Sequence, residues 1–277
     1  MIALDRTRFF DGWRRTFGAL SQSQVVSVEA LLAALESDAH VTDVRWAAYM
    51  LATAYHETAA TMAPIDEFGS DEYFNRRYGP HTSVGRNLGN TEKNDGARFH
   101  GRGFVQLTGR RNHRVMSQRL FDSYGQTVDL VANPERAKDT LTAYRIMSVG
   151  MRDGAFTGRA LKHYINGAKC DYRNARRIIN GTDRAALIAG HADKFERILR
   201  GASTIAHPEP SPAPPAPLTA KAAIASGTVG VGLLATASTW LSDNGWIVAV
   251  IAGLLLVGIL GAALWFAMRW LDDRRGK

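Results

Sequence analysis

The sequence predicts a mainly α-helical domain with a small β element, followed by a Pro-rich linker and one or two transmembrane helices. Apolar residues recur at helical spacing through much of residues 1–205. Six of the nine prolines lie between Pro208 and Pro217, and no charged residue lies between Gly245 and Met268. These three observations divide the chain into a domain at 1–205, a linker at 206–220 and a membrane segment at 221–277.

Helical spacing places the elements of the first domain in order. The first clear amphipathic helix covers 23–37, and the next begins with Thr42 as N-cap and Asp43 in the first turn and runs to about Ala60. Residues 69–101 are rich in Gly, Asn, Asp and Arg and are expected to form a loop. The remaining expected elements are a short strand at 104–108, a helix capped by Asn133 with Pro134 at its first position that runs to Gly154, and helices over 159–165, 172–179 and 183–199.

The C-terminal part is expected to cross a membrane. The uncharged stretch 246–268 is long enough to span the hydrocarbon core. A second candidate span, 222–242, is rich in small residues, so the alternatives are a helical hairpin or a loose linker followed by one span. The basic tail that follows predicts a cytoplasmic C-terminus, while the side on which the first domain lies depends on the number of spans.

Charge and cysteine content narrow the expected partners. Residues 1–207 carry a net charge of +7, which favours a polyanionic partner. No Lys/Arg block with interleaved aromatic residues is present, so no nucleic acid is expected as a partner. The single cysteine, Cys170, allows no intramolecular disulfide, and the charged first twenty residues are not typical of a secretory signal peptide.

Two segments contain the residues suited to chemistry. Glu57 stands near the end of a predicted helix in Tyr55-His56-Glu57-Thr58, and its neighbours at helical spacing are of low polarity. Such neighbours favour a protonated carboxyl group, the form that a general acid requires. The Gly-flanked run 101–112 carries Gln106 and Thr108 on one face of the expected strand, where neutral amide and hydroxyl groups are suited to bind sugar hydroxyls. The pattern predicts a hydrolase of amino-sugar polymers.

The pair His56-Glu57 also invites a zinc-protease interpretation. That pattern requires a second histidine four residues after the first, and position 60 is alanine. Neither a metal nor any other cofactor is therefore expected.

Three runs together resemble glycoside hydrolase family 19, the chitinase and phage endolysin type. They are His56-Glu57-Thr58, the run from Gly101 to His113, and Arg177-Ile178-Ile179-Asn180-Gly181. The resemblance covers most of residues 1–205 and implies a lysozyme-like bilobal α+β domain that cleaves β-1,4 bonds next to N-acetylglucosamine with inversion. The membrane segment is an addition to that pattern.

The resemblance also implies the site residues. Glu57 corresponds to the general acid, Gln106, Asn112 and Asn180 to substrate-binding residues, and Thr108 to the residue that positions water. The second carboxylate is best matched by Glu67, with Asp66 and Glu92 as alternatives. Hydrogen bonding within the fold is the competing explanation for the neutral residues, and for Asn180 it is helix capping.

The expected substrate is peptidoglycan, since it is anionic and the domain is basic. This interpretation favours a phage or prophage product of the endolysin or lysozyme type, with its membrane segment in the bacterial inner membrane. The alternatives are a chitinase and a non-catalytic cell-wall-binding module tethered to a membrane. The oligomeric state is left open by the sequence.

Overall fold

The computed structural model describes residues 2–204, which form a mainly helical fold. The linker at 206–220 and the segment at 221–277, with its expected spans 222–242 and 246–268, lie outside the described residues. The described helices and strands, in chain order, are α1 Arg6–Phe17, α2 Gln22–Ser37, α3 Val44–Glu57, β1 Ile65–Asp66, α4 Asp71–Tyr78, α5 Ser83–Asn87, α6 Asp95–Arg98, β2 Arg102–Gly103, α7 Arg110–Tyr124, α8 Thr140–Asp153, β3 Ile165–Asn166, β4 Lys169–Cys170, α9 Tyr172–Ala175 and α10 Ala185–Ala202.

Helix α3 forms the centre of the core. Every residue from Ala47 to Ala54 is buried, so the helix is covered on all sides, as expected for an apolar sequence without a polar face. It packs against α10, which also packs against α1. Within that buried run the Thr53 hydroxyl donates to the carbonyl of Tyr49, while the Tyr49 hydroxyl has no hydrogen-bond partner among residues 2–204. The burial leaves the C-terminal residue Glu57 as the first charged group beyond the core.

A buried carboxylate joins α2 to the helices beyond it. Asp38, directly after α2, is 3% exposed, and its Oδ2 accepts hydrogen bonds from Tyr124, Tyr144 and Ser148 at 3.0, 3.0 and 2.6 Å. Burying a charge is costly unless hydrogen bonds replace its water shell. The three hydroxyls do so here, and they hold α2 against α7 and α8.

The β structure is small and connects distant parts of the chain. Strands β1 and β2 pair antiparallel, with Ile65 opposite Gly103 and Asp66 opposite Arg102. Strands β3 and β4 form a second antiparallel pair. The first pairing places the segment after Glu57 directly beside the Gly-flanked run 101–112.

Several expected elements differ from the structure. Residues 69–101 are not simply a loop, because α4, α5 and α6 form there, with Ser70 and Thr82 as N-caps of the first two. Asp43 caps α3 in place of Thr42, since its side chain accepts a hydrogen bond from the Arg45 amide. The helix expected over 159–165 is a 3-10 turn, Leu161–His163, followed by β3.

Two further expected elements are shorter or divided. The strand expected at 104–108 is a tight turn, in which Arg102 and Leu107 exchange backbone hydrogen bonds and Gln106 has a φ of 52°. The helix expected from Pro134 to Gly154 is a 3-10 helix, Pro134–Lys138, followed by α8, with Asp139 between them. No helix within residues 2–204 is both long and apolar enough to cross a membrane.

His113 lies buried near the start of α7. Its Nδ1 is 2.9 Å from the carbonyl of Gly109, which assigns a proton to that nitrogen, and Nε2 has no hydrogen-bond partner within residues 2–204. Burial lowers the pKa of His113 from 6.5 to about 4, because removal from water disfavours the charged ring.

We predict that His113 makes stability depend on pH between about 6.5 and 4. The unfolded chain binds a proton as pH falls below 6.5 while the folded chain does not, so the free energy of unfolding decreases, by up to about 3 kcal/mol. Denaturant unfolding of the parent domain and of His113→Phe, which cannot bind a proton there, measures this difference. A pH dependence that persists unchanged in the variant would assign it to other groups.

Candidate active site

Glu57 is the last residue of α3, and its carboxylate contacts a guanidinium. Oε1 lies 2.5 Å from Nη1 of Arg176, whose side chain is 5% exposed. Arg176 stands in the 3-10 helix Arg176–Ile178, and its Nε donates to the carbonyl of Asp183 just before α10. The expectation of surroundings of low polarity is therefore only partly correct. The helix neighbours Met50 and Ala54 are buried, but the carboxylate itself is ion-paired.

The loop between Glu57 and Glu67 has unusual backbone geometry. Ala59, Ala60 and Met62 have φ values of 48°, 65° and 58°, a region that costs residues with a Cβ about 1–2 kcal/mol each. The carbonyl of Ala60 accepts a hydrogen bond from Gln24, and the Thr58 hydroxyl accepts one from the amide of the buried Met62. Such strain persists where surrounding contacts hold it, and it is concentrated at functional sites.

Glu67 and Gln106, two of the residues singled out from the sequence, come together at Gly101. A Cβ on Gly101 would lie 2.7 Å from Oε1 of Gln106 and 3.2 Å from Oε2 of Glu67. The backbone also joins these segments, since the Glu67 amide donates to the Gly101 carbonyl at 2.7 Å and the Gly101 amide donates to Oε2 of Glu67 at 3.1 Å. A side chain at position 101 would therefore displace one of these two groups.

Tyr78 holds the other carboxylate oxygen of Glu67. Its hydroxyl donates to Oε1 at 2.8 Å. Burial, and after it the hydrogen bond to Glu67, raise the pKa of Tyr78, so the phenol keeps its proton near neutral pH. A carboxylate has about four lone-pair sites, and with two of them occupied Glu67 retains capacity to accept a proton from water.

The two alternatives for the second carboxylate are engaged with cations. Asp66 contacts Lys138 at 2.5 Å, His100 at 3.2 Å and Arg102 at 3.4 Å. Burial raises the pKa of Asp66, but the hydrogen bonds from Lys138 and His100 outweigh it and the net shift is downward. Glu92 is exposed and pairs with Arg110 at 2.8 Å.

The neutral residues after β2 form a chain of hydrogen bonds. The Gln106 amide nitrogen donates to the carbonyls of Ile65 and Gly103, at 3.3 and 3.2 Å. The Thr108 hydroxyl donates to the Gln106 carbonyl, and the Asn112 amide nitrogen donates to the Thr108 carbonyl. All three side chains therefore have structural partners, while Oε1 of Gln106 lies against Gly101 beside Glu67.

Asn180 lies apart from that chain and beside Arg176. Its backbone amide donates to the carbonyl of Arg176 at 3.0 Å, and its exposed side-chain oxygen accepts a hydrogen bond from the Gly181 backbone amide at 2.8 Å. The helix-capping explanation for Asn180 is thus close to what is found, since the residue ends the 3-10 turn. The hydrogen bond joins the Asn-Gly motif to the backbone of Arg176, the residue that holds Glu57.

Sequence reasoning missed Arg176, the Tyr78 hydroxyl that holds Glu67, and the exposed Phe68 that follows Glu67. Arg176 directly precedes the run Arg177–Gly181, but its partner Glu57 is 119 residues away and no local pattern links the two residues. Phe68 follows Glu67 and is 100% exposed, which is unusual for a large apolar side chain. Its position directly after a candidate catalytic residue was the available signal. The next phenylalanine in the chain, Phe74 on α4, is buried and its ring stacks on that of His100.

Comparison with known proteins gives matches only among solved structures. No family model and no curated protein matches the sequence. The chain path is partly similar to that of chitinase C from Streptomyces griseus HUT6037, with 18% identity and a TM-score of 0.47 over 71% of this chain and 76% of that one. It is also partly similar to that of a bacterial family 19 chitinase, with 19% identity and a TM-score of 0.45 over 72% of this chain and 94% of that one.

Proposed function

We propose that residues 1–205 hydrolyse β-1,4 glycosidic bonds of bacterial peptidoglycan by an inverting acid/base mechanism. The observation that carries this proposal is that the Glu67 carboxylate and the Gln106 side chain both lie against Gly101. A carboxylate beside a side-chain amide can activate water and bind a sugar, and Glu57, ten residues earlier in the chain, supplies the second carboxylate that an acid/base pair needs.

Glu57 is assigned the role of general acid. This role requires Glu57 to take up a proton before each cycle, and the Arg176 guanidinium, which favours the anion, promotes the release of that proton to the leaving oxygen. The buried position of Arg176 strengthens the interaction because water screens it poorly. Arg176 is thus a positioning residue for the acid.

Glu67 is assigned the role of general base. Tyr78 and the Gly101 amide orient its carboxylate, and the remaining lone pairs accept a proton from the attacking water. Asp66 suits this role less well, because its two oxygens contact Lys138 and Arg102. In an inverting pair the two carboxylates lie about 6.5–9.5 Å apart, with the water between the base and the sugar.

Peptidoglycan is favoured over chitin by charge. The +7 net charge of residues 1–207 attracts an anionic polymer, whereas chitin is neutral. Phe68, fully exposed beside Glu67, offers an aromatic face on which a sugar ring can stack.

The acid/base assignment predicts the effect of removing either carboxylate. Glu57→Gln and Glu67→Gln should each reduce clearing of a peptidoglycan suspension by residues 1–205 about 10²- to 10⁴-fold, since each removes one proton-transfer step. Glu72→Gln, at an exposed glutamate of α4, is the matched control and should retain activity. Circular dichroism would verify that all variants fold.

Product analysis separates the alternatives. Inversion predicts that newly formed reducing ends are first α, which proton NMR of the fresh digest detects. An unchanged rate in Glu57→Gln removes this residue from the mechanism, and full loss in Glu92→Gln with activity kept in Glu67→Gln makes Glu92 the base. Release of free amino termini without new reducing ends would identify a peptidase or amidase, and cleavage of chitin oligosaccharides alone would identify a chitinase.

A second prediction concerns the exposed aromatic residue. Phe68→Ala should raise KM for peptidoglycan roughly three- to tenfold, the range expected for one lost stacking contact, with little change in kcat or in the free energy of unfolding. Phe121→Ala on α7 is the control, because Phe121 is also an exposed phenylalanine, at 55%. Equal effects of both substitutions would deny Phe68 a role in sugar binding.

The proposal includes attachment to the bacterial inner membrane through residues 246–268, as expected from their lack of charge. The full chain should sediment with membranes and residues 1–205 should not. A protease-sensitive tag at the N-terminus should be cleaved in intact spheroplasts if one span places the domain outside. Protection of the tag would support the hairpin, and a full chain that stays in the supernatant would contradict attachment.

A further inference from the structure

Four arginines surround the loop that leads from the 3-10 helix Arg176–Ile178 into α10. Two surface depressions lie there, with volumes of about 360 and 370 Å³. Arg159, Arg177 and Asn180 line the first, and Arg173 and Arg184 line the second. We call Arg159, Arg173, Arg177 and Arg184 the arginine cluster.

None of these four guanidinium groups has a carboxylate partner among residues 2–204. No acidic residue lines either depression. Of the acids nearest in sequence, Asp171 accepts two hydrogen bonds from Asn174, and Asp183 lines neither depression. The buried Arg102 and Arg176, in comparison, are each ion-paired with a glutamate. Unpaired like charges in one place attract an anion from outside.

The first depression is built on backbone that is held in place. The Thr157 hydroxyl donates to the carbonyls of Arg177 and Ile178, at 2.6 and 3.1 Å, and so fixes the segment of Arg159 against that of Arg177. The side-chain oxygen of Asn180 accepts a hydrogen bond from the backbone amide of Gly181. The fixed backbone keeps Arg159 and Arg177 on the same depression, and the planar guanidinium group matches the geometry of a carboxylate.

The depression is connected through the backbone to the arginine that holds the candidate catalytic acid. Arg176 holds Glu57, and Arg177 is the following residue, while the Asn180 amide bonds to the carbonyl of Arg176. Adjacent Cα atoms are about 3.8 Å apart, so the backbone of Arg177 lies directly beside that of the residue that holds Glu57.

We propose that Arg159 and Arg177 form a subsite for the free carboxylates of the peptides that branch from the glycan substrate. Guanidinium groups bind carboxylates through paired charge-assisted hydrogen bonds. This inference rests on the proposed function and deepens it, because it places the preference for an anionic glycan in two named residues. The remaining members of the arginine cluster, Arg173 and Arg184, extend the positive surface along the same loop.

The test uses the full 277-residue chain in a non-ionic detergent and two matched ligands. One is a disaccharide-peptide from peptidoglycan, and the other is the same molecule with its carboxylates converted to amides. Calorimetry should show the acid form binding roughly five- to tenfold more tightly, and Arg159→Gln with Arg177→Gln should abolish that difference. With polymeric peptidoglycan the same double variant should raise KM and leave kcat nearly unchanged.

The control double variant is Arg114→Gln with Arg197→Gln, which removes the same charge from exposed arginines outside both depressions. Equal affinity of the parent chain for the two ligands, or an equal loss in the control variant, overturns the subsite. Tighter binding of a short single-stranded DNA than of the acid ligand overturns the carboxylate assignment. Binding of the acid form without cleavage of any glycan contradicts the proposed function and leaves the subsite standing.

Discussion

The ion pair between Glu57 and Arg176 is the interaction on which the candidate site depends. It joins the last residue of the central helix α3 to the turn that precedes α10, the helix that packs most extensively against α3. Removing one partner of a buried pair commonly costs about 3–5 kcal/mol, because the other charge is left without compensation. The same contact therefore fixes the direction of the Glu57 carboxylate and the placement of the segment that carries Asn180.

A second constraint acts on Glu67 and is independent of the first. Pairing of β1 with β2 sets the segment before Glu67 beside Arg102 and Gly103, and the absence of a side chain at Gly101 lets Glu67 and Gln106 approach. The loop that joins the two constraints contains three non-glycine residues in the left-handed region. Their conformational cost is met by the packing of Met62 and by the hydrogen bond from Gln24. The two carboxylates are thus held by separate parts of the fold, with a strained connection between them.

Helices whose apolar residues recur at regular spacing were predicted correctly from the sequence. Elements that depend on contacts between distant residues were not. Helix α2 and the central helix α3 were predicted within a few residues, because their apolar spacing is regular. Helices α4 to α6 were missed, since they are short and their stability comes from capping by Ser70 and Thr82 and from packing rather than from an apolar stripe. The expected strand that contains Gln106 is a turn, because the exchange of hydrogen bonds between Arg102 and Leu107 closes it.

The site residues also divide into those that a sequence motif indicates and those that only distant contacts bring into place. Motif resemblance singled out Glu57, Glu67 and Gln106, and the last two do contact the same glycine. Their partners Arg176 and Tyr78 could not be identified from the sequence, since a guanidinium 119 residues away or a phenol on an unexpected helix gives no periodic signal. Roles for Thr108, Asn112 and Asn180 stay predictions, as each has a structural hydrogen bond of its own.

Charge is arranged differently inside and outside this fold. Arg102 and Arg176 are the buried arginines among residues 2–204, and both are neutralised by carboxylates, as a low-dielectric interior requires. The positive excess must then be carried by exposed side chains, where water reduces the cost of leaving it unpaired. A surface of this kind attracts polyanions over distances of about a Debye length, roughly 8–10 Å at physiological salt. Long-range attraction of this type raises the encounter rate but does not orient a glycan, so orientation has to come from the short-range contacts at Glu57, Glu67 and the depression beside Asn180.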